Sequence, residues 1–307
     1  MIELINVSKT FGNTGAVKNI SLKVNNHENL VLLGTSGCGK TTTLKMINRL
    51  IEPDSGNILI DGKNILDIKP ETLRKNIGFV MQNIGLFPHY TIEENIAVGP
   101  KLSGWDIKKT KLRTQELLHK LHLPEDCLTV YPDQLSGGQQ QRIGLARALI
   151  TDTPVLLMDE PFGALDNVTR ASIHAEFKAL DELKRKTIIM VTHDIQEAFE
   201  LGDRICLMDK GEVVQIGTPK ELLYKPVNDF TKKFMDSFRL TLEFKTVTLH
   251  DIIPHFSSGF SFAEQAKLSP DISVWNALEY SGNSDSTNAF EEITGAFHKY
   301  QKTQRYD

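Results

Sequence analysis

Long apolar runs are missing from this chain of 307 residues. None approaches the ~18 residues that a membrane span needs, so any membrane role must come through partners. Neither sign of charge dominates. Thirty-five Lys and Arg stand against 39 Asp and Glu, a net charge of -4. Without a basic excess to hold a phosphodiester backbone, nucleic acid is not an expected partner. Cysteine is scarce: Cys38, Cys127 and Cys206 sit at spacings that suit neither a disulfide framework nor a metal cluster, as in a reducing compartment. The opening MIELINVSK has no apolar stretch of a secretory signal, so a cytoplasmic chain is expected. What is present is ordinary: 40% hydrophobic and 24% charged, enough for one large domain and a smaller one.

Against that background residues 34–42, GTSGCGKTT, stand out. They fit the phosphate-loop template G-x-x-x-x-G-K-T at Gly34, Gly39, Lys40 and Thr41, with Thr35, Ser36, Gly37, Cys38 and Thr42 completing the cradle. The apolar Asn29–Leu33 before it reads as a buried strand, and TTLKMINRL after it as a helix. Glycines let successive N–H groups point at phosphate oxygens, and the helix N-terminus adds partial positive charge. Lys40 is placed for β- and γ-phosphates, Thr41 for Mg2+. Cys38 reads as a filler in the loop, not a nucleophile. The motif predicts binding of a nucleoside triphosphate.

Around the loop, Ile2–Val7, Val17–Val24 and Asn57–Ile60 read as strands of a small antiparallel sheet, the last ending in an Asp61-Gly62 hairpin turn. Phe11 lies between the first two and fits either a stack on an adenine ring or a place in the core. IGFVMQ (77–82) is a further buried strand ending in Gln82. From 85 to 150 the pattern is helical: Thr91 is a plausible N-cap with Glu93 and Glu94 behind it, and Pro100 and Gly104 are expected to break the first helix. Ser136-Gly137-Gly138-Gln139 opens another helix and makes a second anion cradle. One loop already serves one triphosphate, so the second cradle fits a dimer in which each chain caps its partner's nucleotide.

Val155–Met158 reads as a buried strand that delivers Asp159 and Glu160. Asp159 is suited to hold Mg2+, and Glu160 to act as a base on the attacking water. Asp166 begins the next segment. Thr187–Val191 delivers His193, read as a γ-phosphate contact against the alternative of a structural histidine.

Together these motifs resemble the nucleotide-binding subunit of ATP-binding cassette transporters, over roughly residues 1–235. The resemblance implies an α/β P-loop NTPase (RecA-like) parallel sheet, a small antiparallel β subdomain and an inserted α-helical subdomain at 85–150. It implies ATP and Mg2+ as ligands. Phe11 matches the adenine-stacking aromatic, a position more often Tyr, and Gln82 the loop that senses Mg2+ and the membrane subunit. Leu135–Gln139 matches the family signature, Asp159 and Glu160 the metal-binding and catalytic acids, Asp166 the dimer-contact loop and His193 the switch histidine. It further implies integral membrane permease subunits, a substrate-binding protein reached indirectly, a homodimer, and a place on the cytoplasmic face of the membrane. GTSGCGKTTTLKMINRLIEPDSG and YPDQLSGGQQQRIGLARAL are similar to ATPases of quaternary-amine uptake systems. An amino-acid importer shares much of that phrasing, and a soluble cassette ATPase is the alternative of another class.

Residues 1–236 are expected to form the ATPase domain, and 237–307 an extension. In the latter Phe244, Phe256, Phe260, Phe262, Trp275, Phe290 and Phe297 are too many large apolar groups for a free linker. Lys267–Leu278 resembles the start of a CBS repeat, expected to be degenerate or truncated.

Overall fold

Ile2 and Leu4 alternate as buried residues at the start of the first strand, β1 (Ile2–Phe11), and after a register shift Val7 is buried as well. The computed structural model describes residues 1–163, 165, 167–257, 269–282 and 287–304. In it β1 pairs antiparallel with β2 (Thr14–Val24) on one side and β4 (Ser55–Ile60) on the other. With β5 (Lys63–Asn64) they make a four-stranded sheet in the order β2-β1-β4-β5. The β4–β5 turn is the expected Asp61-Gly62, with φ of 49° and 76°, as a tight hairpin requires. β1 and β2 run longer than their apolar runs, because antiparallel pairing tolerates polar residues on the outer face.

The second sheet has six strands in the order β10-β9-β3-β8-β7-β6. They are β3 (Asn29–Gly34), β6 (Ile77–Val80), β7 (Val155–Asp159), β8 (Thr187–Thr192), β9 (Arg204–Asp209) and β10 (Glu212–Gly217). β3, β8, β7 and β6 are parallel neighbours, and their near-continuous apolar sequences reflect burial on both faces. Register brings Leu33 level with Thr192 and Asp159 level with Val191, so three strands finish together at their carboxyl ends. Ligands of open α/β sheets bind at that edge.

Helix α1 (Lys40–Ile47) follows β3, and the short α2 (Pro70–Arg74) precedes β6. Three longer helices fill 92–149: α3 (Ile92–Leu102), α4 (Ile107–Lys120) and α5 (Gly137–Leu149). Thr91 does cap α3, in a full capping box with Glu94. Pro100, however, does not break it. The helix runs on to Leu102, and a proline so near the end removes only one hydrogen bond. Gly104 does terminate it: Trp105 N–H returns to Pro100 O (3.0 Å) and Gly104 N–H to Lys101 O (3.2 Å), the paired bonds of a Schellman motif. Helix α6 (Asn167–Ala179) lies between β7 and β8.

By compactness the chain divides into Met1–Asp194 with Cys206–Val214, and Ile195–Ile205 with Gln215–Asp307. The second unit contains α7 (Ile195–Leu201), α8 (Pro219–Tyr224), α9 (Asp229–Asp236), α10 (Arg239–Thr246), α11 (Leu249–Ile252), α12 (Val274–Gly282) and α13 (Thr287–Gln304). Its tail is helical among the described residues, with one isolated bridge between Thr248 and Ser273. Phe244 stacks on Phe297 at 4.4 Å, and the buried Glu243 binds Arg239 (2.9 Å) and Gln301 (2.5 Å). Phe260 and Phe262 lie outside the described residues.

Candidate functional site

The loop between β3 and α1 turns at Gly39 with φ 102°, where an added Cβ would stand 2.4 Å from Ala16 O. Any other residue would have to move backbone, so the glycine is obligatory. Lys40 is only 5% exposed, and its ammonium donates to Gly34 O (2.8 Å) and Thr35 O (2.9 Å). Among the described residues no carboxylate lies within ion-pair distance of it. A buried cation without an anion is costly, and a phosphate would supply one. Thr35, Ser36 and Gly37 are exposed, while Cys38, Gly39 and Lys40 are buried and Thr41 and Thr42 half-buried. Cys38 packs inward with Sγ 3.8 Å from Lys40 Nζ.

Thr41 and Asp159 meet at the β7 end: Thr41 Oγ1 donates to Asp159 Oδ1 at 2.8 Å. Burial pushes the Asp159 carboxyl up, against the Thr41 hydrogen bond and the field of Lys45 and Lys40, with Glu160 adding to the rise. A hydroxyl and a carboxylate are hard oxygen donors of the kind Mg2+ takes. No cluster of three His, Cys, Asp or Glu exists among the described residues.

One residue on, the chain turns sharply. Glu160 has φ 45°, and its N–H bonds to Val191 O (2.9 Å) across the sheet. Non-glycine residues hold such a conformation only where their surroundings fix it. Here the surroundings are two side chains: Gln82 Nε2 donates to Glu160 Oε2 at 3.1 Å, and His193 Nδ1 stands 3.2 Å from the same oxygen. Residues separated by up to 111 positions in sequence order are therefore gathered on one carboxylate, with His193 well exposed.

Not every expected residue joins this cluster. Ser136–Gln139 close on themselves: Ser136 Oγ accepts from Gln139 N–H (3.3 Å) and Gln139 Oε1 from Ser136 N–H (3.0 Å), a capping box at the start of α5. Ser136 and Gly137 are exposed and Gly138 half-buried. Phe11 is 48% exposed with Lys9 Nζ 5.7 Å from its ring, which removes the core alternative. Asp166 lies outside the described residues.

Two contributors carried no sequence signal. Asp209 Oδ1 accepts from Thr35 Oγ1 (3.3 Å), fixing the edge of the loop from β9. Arg170 on α6 donates to Asp194 Oδ2 (3.1 Å) and Leu165 O (2.9 Å), tying the segment after β7 to that after β8. An arginine in the first turn of a helix reads as a solvated face, and only tertiary contacts distinguish it.

Phosphate loop, paired acids and terminal histidine at one sheet edge define a P-loop nucleotide-binding cassette. Residues 17–163 match the ABC transporter family model. The glycine betaine uptake system ATP-binding protein YehX of Escherichia coli is 44% identical over 282 residues, covering 90% of this chain and 91% of that protein. The choline transport ATP-binding protein OpuBA of Bacillus subtilis is 52% identical over 241 residues, 78% of this chain. The match spans only 63% of that longer relative. The dimeric structure of MJ0796, a bacterial ABC transporter cassette, superposes with a TM-score of 0.65 at 37% identity, covering 71% of this chain and 98% of that one. The chain belongs to the ABC transporter family.

Proposed function

We propose that this chain is the ATP-hydrolysing subunit of an importer for a quaternary-amine osmoprotectant. The observation that carries the reading is the Glu160 carboxylate, held by Gln82 and His193 beside the Thr41–Asp159 pair. The glycine betaine and choline transport named in two relatives supports the substrate class. In this reading Lys40 releases the loop carbonyls for the β- and γ-phosphates, with the N–H groups of residues 35–42 around them. Thr41, Asp159 and the Gln82 amide oxygen are the ligands for Mg2+, which when bound neutralises charge on the phosphate oxygens. Glu160 orients water in line with the γ-phosphate and takes its proton, while His193 donates to a γ-phosphate oxygen. Phe11 stacks on the adenine.

Two chains act as a homodimer, Ser136–Gln139 of each capping the nucleotide of the other, with Asp166 at the contact. No described helix is long and apolar enough to cross a membrane. In this reading translocation belongs to integral permease subunits, at whose cytoplasmic face this chain docks. Leu86, Phe87 and Tyr90 support such a surface: Phe87 and Tyr90 are both 43% exposed although large and apolar. A cavity of about 520 Å³ lined by Gly78, Leu102 and Arg147 adjoins them, since Arg147 also lies over Phe87.

The test is Glu160→Gln in the purified chain. Turnover should fall by roughly 10²–10⁴-fold, the scale of a lost general base, with ATP still bound. Near-normal turnover would remove Glu160 from this role.

A further inference from the structure

The loop that leads from Gln82 into α3 is gripped from two sides. On α3 the fully buried Asn95 donates to the carbonyls of Phe87 (3.1 Å), Tyr90 (3.1 Å) and Thr91 (3.0 Å) and accepts from Phe87 N–H (2.7 Å). That anchor serves the second half of the loop. The first half is held from α5. Arg147 Nη1 donates to Gly85 O at 2.6 Å, and Nη2 to Ile84 O at 2.7 Å. Its guanidinium carbon lies 5.9 Å from the centre of the Phe87 ring.

Three features set this grip apart from ordinary packing. First, among the described residues no carboxylate lies within ion-pair distance of Arg147, and burial pulls its pKa down. The guanidinium is half-buried with no anion to meet it, and the two carbonyls are what holds it there. Second, Ile84 has φ 49°. A β-branched residue in the left-handed region is an outlier that persists only under external restraint. That turn is what presents two successive carbonyls to one fork. Third, a Cβ on Gly144 would come within 3.0 Å of Ile84 Cγ2. Gly144 leaves a gap on α5, and Ile84 fills it.

We propose that Arg147 and Gly144 form a clamp by which α5 sets the Gln82 loop, Arg147 being a positioning residue that acts on hydrolysis through Gln82. The proposal rests on the ATPase reading of Gln82 and Glu160. α5 starts at the Ser136–Gly137 cradle, and its 13 residues make a rod. At 1.5 Å per residue it is about 20 Å long. A displacement at the cradle end is therefore carried to Gln82 by one rigid helix and two hydrogen bonds. Arg is needed because a lysine ammonium is a single point donor and cannot span two carbonyls as a planar fork does.

A double-mutant cycle in steady-state ATP hydrolysis by the full chain tests this. Arg147→Lys should lower kcat roughly tenfold while KM for ATP stays within about twofold, because the phosphate loop is untouched. In a Gln82→Ala background the same change should add less than about twofold, the route it acts through being gone. Gly144→Ala should lower kcat likewise. Ile84→Gly should restore it, since glycine keeps the left-handed turn and both carbonyls while removing Cγ2. Thermal melting reports folding, and if Arg147→Lys melts early the cycle is read with Gly144→Ala instead. A wild-type kcat in Arg147→Lys, a loss that falls on KM, or equal losses with and without Gln82 would overturn the clamp. A wild-type chain that hydrolyses no ATP would sink the parent reading, an outcome distinct from all of these.

Discussion

A half-exposed phenylalanine beside a lysine carries more information than its letter. Lys9 is itself committed: its ammonium binds Asp54 at 2.6 Å, which leaves the Phe11 ring with one open face. In the function proposed above that face takes the adenine, and stacking on a base contributes about 1–3 kcal/mol. Phe11→Ala should therefore raise KM for ATP by roughly 5- to 100-fold with kcat little changed, while Phe11→Tyr should leave both near wild type. An unchanged KM in the alanine variant would take Phe11 out of the site. In the sequence Phe11 fitted core and stack equally well, because hairpin pairing with Thr14 fixes its strand but not what packs over its ring. Gly39, Lys40 and Thr41 were legible for the opposite reason: their spacing within one loop is the signal, even though Gly39 meets Ala16 O and Thr41 meets Asp159 from elsewhere. Glu160 was legible as a residue type, yet its left-handed turn and its grip by Gln82 and His193 were not, since they depend on three strands finishing level.

The same division between local and distant holds for elements. The N-cap at Thr91 and the turn at Asp61-Gly62 could be read from sequence because each is closed within four residues. What anchors α4 could not. Arg113 grips Glu182, 69 positions away, through two bonds of 2.9 Å, and Lys120 adds a third at 2.6 Å. Glu182 is buried and stands just before the Leu183–Arg185 turn that feeds β8, the strand leading to His193. Burial alone would raise its carboxyl, but the hydrogen bonds from Arg113 and Lys120 outweigh it and hold the pKa below the ordinary 4.5. Glu116, bonded by Lys120 and Arg113, is held at about 2 and stays ionised over the same range. For Glu182 the folded value lies below the unfolded one. The stability it contributes is therefore complete above pH 4.5 and is lost as pH falls below that value. Glu182→Gln should lower Tm by roughly 5 °C at neutral pH, by leaving Arg113 without its buried partner. Its deficit should shrink as pH drops below 4.5. A deficit constant with pH would show that the lost packing, not the charge, was what mattered.

At the scale of the whole molecule the question is how many chains make one site. The phosphate loop, Asp159, Glu160, Gln82 and His193 share one end of the parallel sheet, whereas the Ser136–Gln139 cradle closes on itself with Ser136 and Gly137 facing outward. A helix N-terminus with two exposed small residues has unused affinity for an anion. In the homodimer proposed above, that anion is the γ-phosphate held by the partner. Hydrolysis should then be second order in protein at low concentration, with specific activity rising as the chain is concentrated, while ATP binding should not depend on protein concentration. Gly137→Asp sets a carboxylate against the incoming phosphate and should cut hydrolysis by more than about 100-fold, as loss of transition-state charge stabilisation does. ATP affinity, measured by equilibrium binding to the same variant, should stay within about threefold because the loop at 34–42 is intact. If Gly137→Asp lost ATP binding as well, the cradle would belong to its own chain's nucleotide. Specific activity independent of concentration down to the nanomolar range would argue the same way, and a single chain would hold the complete site.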